Sequence, residues 1–193
     1  MGVRYVLTAA ALLVIIACSE HARTSTTARP SRYGIGRTPT AAEIAAIDID
    51  VNPAGVGLPA GSGTAAAGAL IYALKCAICH GVKGEGIAQF PRLIGREPPP
   101  GFVFATDANA PRTIGNYWPY ATTLYDYLHR AMPLNAPGSL TPTEIYSLVA
   151  YLLSENGVIP AGTVVDAHSL PTVHMPAQSH FVKDDREGGA IFR

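Results

Sequence analysis

The chain has no surplus charge of either sign: among 193 residues 14 basic ones are matched by 14 acidic ones. It therefore lacks the strongly basic surface that nucleic-acid binding calls for. Long hydrophobic runs are also missing from its first stretch. The apolar segment behind Arg4, from Val6 to Ala17, is long enough for the core of a signal peptide and short for a membrane-spanning helix. This predicts export, with residues 1–17 as the leader. The pair Cys76 and Cys79 has no second cysteine pair to accompany it, which argues against a zinc site built from paired cysteines. A regular alternation of strand and helix patterns is absent too, and with it the usual setting of a redox dithiol. Large apolar residues are scarce from Ser19 to Arg37, so that stretch cannot bury enough surface to offset its ordering entropy. Residues 18–37 read as a flexible tether.

The leader ends Ile15-Ile16-Ala17-Cys18, which resembles the lipobox of bacterial lipoproteins. Lipidation of Cys18 would anchor the mature chain to a membrane on the exported side, a periplasmic location. Ordinary cleavage nearby, with Cys18 discarded, is the competing outcome.

Beyond the tether, Thr40-Ala41-Ala42-Glu43 has capping-box spacing ahead of Ile44 and Ile47, predicting a short helix that Asn52-Pro53 and the following glycines terminate. Thr64 to Lys75 is Ala-rich, with Leu70, Ile71 and Leu74 on one side, and suits an amphipathic helix running directly into Cys76. Gly68 and Tyr72 share a face of it. Between Gly81 and Pro119 the Gly and Pro content predicts loops ordered by something they fold over. Thr122 to Arg130 reads as a helix. A stronger one follows Thr141, with Pro142 at its first position, Glu144 completing a capping box, and Ile145, Leu148, Val149, Leu152 and Leu153 at helical period until Asn156-Gly157. The tail after Pro160 is punctuated by proline and is expected to wrap the surface. The resulting division is a leader at 1–17, a tether at 18–37, an N-terminal arm at 38–62, a domain at 63–159 and a C-terminal arm at 160–193.

The chemistry sits in Cys76-Ala77-Ile78-Cys79-His80, the attachment pattern for c-type haem. Two thiols three apart on one helical turn can each form a thioether to a haem vinyl group, and the adjacent His80 then serves as an axial iron ligand. One such motif implies one covalent haem. Candidates for the other axial ligand are Met132 and Met175, while His129 or His174 would give a bis-histidine site.

Gly81, Gly84 and Gly86 allow tight turns before Pro91-Arg92-Leu93, and this arrangement resembles the class I cytochrome c family. The resemblance implies a mainly α fold with three to five helices around one covalently bound haem, here with extended N- and C-terminal arms. It implies that the Pro91 carbonyl accepts a hydrogen bond from Nδ1 of His80, that Leu93 packs on the ring, and that Met132, in the loop before the C-terminal helix, is the methionine ligand. A thioether there fills the sixth coordination position and raises the potential relative to a second imidazole. Gly68, Tyr72 and Tyr151 resemble the contact at which class I cytochromes cross their terminal helices. Trp118, Tyr117 and Tyr120 are candidate neighbours of the haem propionates, and Arg92, Arg112 and Arg130 candidate ion-pair partners for them.

Asn116-Tyr117-Trp118-Pro119-Tyr120-Ala121-Thr122-Thr123-Leu124, leading to Arg130-Ala131-Met132-Pro133-Leu134-Asn135-Ala136-Pro137, is similar to the cytochrome subunit of the bacterial Sox sulfane dehydrogenase and its sulfite-dehydrogenase relatives. Matches in the flanking arms, Thr38-Pro39 to Asp50, Gly57 to Gly63 and Leu170 to Pro176, extend the similarity over most of the chain. It implies an electron carrier rather than an enzyme, a subunit that takes electrons from a molybdenum-cofactor dehydrogenase of the sulfite-oxidase type. A soluble cytochrome c or an oxidase would accept them. Sox cytochromes often carry two haem domains, whereas this chain has a single attachment motif. Two other classes remain open: a haem enzyme acting on sulfur compounds by itself, which needs an exchangeable iron position, and a membrane-tethered shuttle to a terminal oxidase. Pro-rich arms suit docking to a partner at little further ordering cost, or shielding of the haem edge.

Overall fold

Two threonines start the two helices that cross at the centre of the molecule. In the computed structural model, whose described residues are 34–95, 109–183 and 185, the elements in chain order are helix α1 (Ala41–Ile47), strand β1 (Ser62–Thr64) and helices α2 (Ala65–Lys75), α3 (Ala77–His80), α4 (Ile114–Tyr117), α5 (Ala121–Ala131) and α6 (Pro142–Glu155). Strand β2 (Val164–Asp166) and two 3₁₀ turns, Leu170–Thr172 and Pro176–His180, complete the list. The expected leader, Cys18 and the tether as far as residue 33 lie outside the described residues. No helix among the described residues is long and apolar enough to cross a membrane. The chain divides into two units, Met1–Thr40 and Ala41–Arg193; described residues of the first are exposed, and the second is mainly α, as expected.

The hydroxyl of Thr64 caps α2 by accepting from the Ala67 N–H at 3.3 Å. Thr141 caps α6 in a full box, its hydroxyl accepting from the Glu144 N–H at 3.3 Å while Glu144 accepts from the Thr141 N–H at 2.8 Å. Such caps satisfy N–H groups that a helix start otherwise leaves without partners, each contributing about 1 kcal/mol. The positions expected to be apolar on α6 are all buried.

The crossing depends on Gly68. A Cβ there would overlap the Ser147 carbonyl and sit 2.7 Å from Cβ of Tyr151, so only glycine lets α2 lie this close to α6. One turn on, Tyr72 packs its ring 5.1 Å from that of Tyr151, and Lys75 pairs with Glu144 at 2.7 Å. This choice of face overturns part of the sequence reading of α2. Ala65, Gly68 and Tyr72 are buried and Ile71 is partly so, whereas Leu70 and Leu74 point to solvent. Aliphatic period located a stripe, but close approach to α6 requires the face that carries the small residue.

Helix α5 packs Leu124, Tyr125 and Leu128 into the same core, with the Tyr125 ring 4.6 Å from that of Tyr146. The region expected to be loops contains one further helical turn, α4. It forms because Thr113 and Asn116 cap each other reciprocally, the Asn116 side chain accepting from the Thr113 N–H at 2.7 Å.

Both arms send residues into the core, although α1 itself is exposed. Val51 is buried, and its N–H donates to Asp126 Oδ1 at 2.8 Å. Thr122 donates its hydroxyl proton to the Pro53 carbonyl at 3.0 Å and Tyr146 donates to that of Pro59 at 2.8 Å. Strands β1 and β2 pair antiparallel, Gly63 opposite Val165. The tail does more than wrap the surface, because Val165, Leu170, Met175 and Ala177 are buried, and each large side chain of this kind contributes roughly 1.5–3 kcal/mol.

Candidate functional site

Helix α2 delivers the Cys76–His80 segment. Its last turn closes when the Cys76 N–H donates to the Tyr72 carbonyl at 2.9 Å. The backbone of Cys76 then leaves helical geometry, at φ −121°, and α3 starts immediately. The Cys76 carbonyl accepts from both the Cys79 and His80 N–H groups, at 3.1 and 3.0 Å. Both thiols and the imidazole thus project from one tight turn. The Tyr72 hydroxyl donates to the Gly81 carbonyl at 2.8 Å and fixes the end of that turn to the helix before it, a role its crossing contact with Tyr151 did not reveal.

His80 is oriented as the resemblance implied. Its Nδ1 lies 2.9 Å from the Pro91 carbonyl oxygen; a carbonyl can only accept, so this bond places the ring proton on Nδ1 and leaves Nε2 as the Lewis base. Such a partner also raises the basicity of the ligating nitrogen. Pro91 reaches this position because of Gly86, at φ +77°, where a Cβ would meet the Arg92 nitrogen at 2.7 Å and the Pro91 carbonyl carbon at 3.0 Å. The Gly86 N–H donates back to the His80 carbonyl at 2.8 Å, and the ring of Phe90 stands edge-on at 6.2 Å from that of His80.

Leu93 and Ile94 are half-buried, packed against the core. Their backbone is tied at both ends: the two N–H groups donate to the Gly84 carbonyl at 2.8 and 3.1 Å, and the Leu93 carbonyl accepts from the Ile114 N–H at 3.1 Å. Buried Asn156 completes the arrangement. Its amide donates to the Leu93 carbonyl at 3.1 Å and the Leu152 carbonyl at 2.8 Å, while its oxygen accepts from the Gly95 N–H at 3.1 Å. Read from sequence, Asn156 was only a helix stop; its fixing of the Leu93 segment from 63 residues away has no local signal.

The distal candidates separate by burial. Met132 ends α5 in extended conformation, as a residue before proline tends to, and is half-buried against the core. Met175 is wholly buried within the core, as a packing residue would be. His174 is exposed, and Nδ1 of His129 is buried without a hydrogen-bond partner.

Several candidates for the propionates are engaged elsewhere. The Trp118 indole N–H donates to the Thr123 hydroxyl at 2.9 Å, and that hydroxyl donates to the Tyr120 carbonyl at 2.8 Å. Trp118 and Tyr120 are both half-buried, with Trp118 5.7 Å from the partly exposed ring of Tyr127, a neighbour that sequence reasoning missed. Arg130 is committed to Asp126, its Nε donating to Oδ1 at 2.9 Å and its Nη2 pairing with Oδ2. Arg112 stacks over the Tyr117 ring at 4.7 Å. These side chains satisfy one another because the contacts within α5 and around α4 are local and need no external anion.

Burial pushes the Cys76 thiol up to about 11, with Lys75 opposing and Cys79 adding to the rise. A nucleophilic redox dithiol needs the opposite shift, so this cysteine is not set up for exchange chemistry. Among the described residues no group of three or more His, Cys, Asp or Glu could hold a metal ion. Porphyrin-borne iron brings four nitrogens of its own and asks the chain for two axial donors, and the set present here fits that demand: paired free thiols beside an imidazole with Nε2 available, and a half-buried thioether.

Residues 65–156 match the cytochrome c family. Among solved structures, the sulfane dehydrogenase SoxCD from Paracoccus pantotrophus is 38% identical over 80% of this chain and 74% of the other, with a TM-score of 0.69. The thiosulfate dehydrogenase TsdBA from Marichromatium purpuratum is 28% identical over 47% of this chain and 17% of the other, at a TM-score of 0.34. Compared with curated proteins, the chain has no match.

Proposed function

The chain belongs to the class I cytochrome c family, and on that premise we propose that it is the monohaem subunit receiving electrons from a periplasmic molybdenum-cofactor dehydrogenase of the sulfite-oxidase type. The partner would oxidise sulfite or protein-bound sulfane sulfur, and a soluble cytochrome c or an oxidase would take the electrons onward. The observation that carries this reading is the extent of the likeness to SoxCD. It covers 80% of the chain, whereas the cytochrome c match is confined to 65–156, so it takes in arm residues that a generic cytochrome would not share.

In this reading Cys76 and Cys79 hold the haem by thioethers, His80 and Met132 supply the axial donors, and Leu93, Trp118 and Tyr120 line the pocket. Bound haem supplies a one-electron iron couple. Pro91 keeps the His80 ring aimed, and the backbone ties at Gly84 and Asn156 hold the Leu93 segment against movement. With Met132 as a ligand the iron would keep no exchangeable position, which disfavours a haem enzyme acting alone.

The matured protein is expected to keep its haem in acidified organic solvent, and Met132→Ala to lose the ferric sulfur-to-iron charge-transfer band. Sulfite or a sulfane carrier, supplied with the molybdenum subunit, should then reduce the wild-type haem. Extractable haem overturns thioether attachment, a surviving band overturns Met132, and absence of reduction overturns the partnership. The Ile15-Ile16-Ala17-Cys18 sequence favours a second reading in which lipidated Cys18 tethers the chain as a shuttle to a terminal oxidase. Mass spectrometry of the mature N-terminus tests the tether.

A further inference from the structure

Helix α2 shows solvent an unusual face. A surface helix normally turns charged and polar residues outward, yet Ala66, Ala67, Leu70, Ala73 and Leu74 are the exposed residues before Lys75 at its end. Leu70 and Leu74, one turn apart on α2, are 70% and 83% exposed, and in the haem-motif segment that follows Ile78 is 82% and Val82 78% exposed. Four large aliphatic side chains left exposed within one short stretch of chain are the kind of apolar surface that marks an interaction site. Lys75, the cation bordering them, is paired with Glu144 at 2.7 Å. Along α2 the stripe therefore carries almost no free charge, and exposed Lys83 stands at its far end, beside Val82.

We infer that the Leu70–Leu74–Ile78–Val82 stripe is the surface on which the molybdenum subunit docks, an inference that rests on the electron-transfer role proposed above. Three observations select this occupant. The stripe passes between Cys76 and Cys79, because Ile78 occupies the same turn, so whatever covers it lies beside the haem attachment. Its lack of charge suits a resident subunit: lasting interfaces are apolar at their centre, whereas partners that exchange repeatedly are steered by complementary charge. A solved structure matched over 80% of this chain is that of a sulfane dehydrogenase, SoxCD.

The test uses the matured full chain, the purified molybdenum subunit, and the variants Leu70→Glu and Leu74→Glu, whose exposed positions tolerate the change. Association is followed by sedimentation, haem reduction by stopped flow with sulfite. Each variant should weaken association at least about tenfold and slow reduction by the subunit in proportion. Haem spectrum, reduction potential and reduction by ascorbate should stay unchanged. Wild-type affinity should vary less than about twofold between roughly 0.05 and 0.5 M salt, since apolar contact is not screened. If the wild type neither binds the subunit nor is reduced by it, the proposed function fails. If the wild type binds and both variants bind equally well, or if binding collapses with salt, the stripe is the wrong surface and the function stands. Variants that abolish self-association or vesicle binding, while leaving the subunit bound, would assign the stripe to a second copy or to a membrane and overturn the inference.

Discussion

Tyr72 and Gly81 are joined by a hydrogen bond of 2.8 Å between phenol and carbonyl, so the haem-motif turn is closed by a residue lying one helical turn ahead of it. The same ring stacks on Tyr151 of α6. One side chain thus sets both the crossing of the two main helices and the position of His80. Burial, with Tyr151 and Glu85 adding to it, pushes the Tyr72 hydroxyl well above the usual phenol range, which suits its role as a donor.

Tyr72→Phe keeps the ring and removes the donor, leaving the Gly81 carbonyl short of a partner. A loss of about 1–3 kcal/mol is expected, read by guanidinium denaturation of the matured protein, with the Tyr72–Tyr151 packing retained. No loss would mean that water satisfies Gly81 equally well.

At Gly68, substitution by Ala drives a Cβ into backbone of α6 rather than into a flexible side chain. The helices must separate, at a cost of about 1–3 kcal/mol or more, lowering the melting temperature by several degrees in calorimetry. An Ala67→Gly control on the exposed side of α2 should cost no more than about 1 kcal/mol. Equal effects at the two positions would show that Gly68 is not the point of close approach.

Asn156→Ala removes three bonds at once, leaving the Gly95 N–H without its partner and the Leu93 carbonyl with the Ile114 N–H alone. A destabilisation of about 2–4 kcal/mol is expected. Hydrogen exchange should show the 93–95 backbone opening before the α2–α6 crossing does. Uniform exchange across both regions would contradict a local fastening role.

Asp126 makes stability depend on acid. Burial raises its carboxyl pKa, but the hydrogen bonds from Arg130 and the Val51 N–H, together with the Arg130 charge, outweigh that and leave it below the usual carboxylate range. A group depressed in the folded state contributes its full stability above its unfolded value, near pH 4, and loses it as pH falls through the folded one. Asp126→Asn should therefore be less stable than wild type at neutral pH, and the gap should narrow as pH falls below about 4. Thermal melts of both proteins between about pH 7 and 2 decide this; a gap independent of pH would show that the charge is not what holds Val51.

Local features were legible from the residues. The Cys76–His80 pattern, the cap at Thr141 and the run of α6 each depend on residues within a few positions of one another, where spacing is chemistry. The His80–Pro91 bond was implied by the resemblance to class I cytochromes alone; the glycines at 81, 84 and 86 spoke for tight turns and named no partner. The helical turn at α4 was hidden, since its reciprocal Thr113–Asn116 cap stands in a stretch whose Gly and Pro content reads as loop.

The sequence by itself determined the motif, the extent of α6 and the family. Only the tertiary structure decided which face of α2 is buried, that the Leu93 segment is fastened by Asn156, that Arg130 belongs to Asp126, and that Val51, Leu170 and Met175 from the two arms complete the core. The physical reason is that α2 is apolar all round, so its hydrophobic period is ambiguous. The ambiguity is resolved by steric contact with α6, where a missing Cβ at Gly68 permits closer approach than any aliphatic side chain, and Leu70 and Leu74 are left outside.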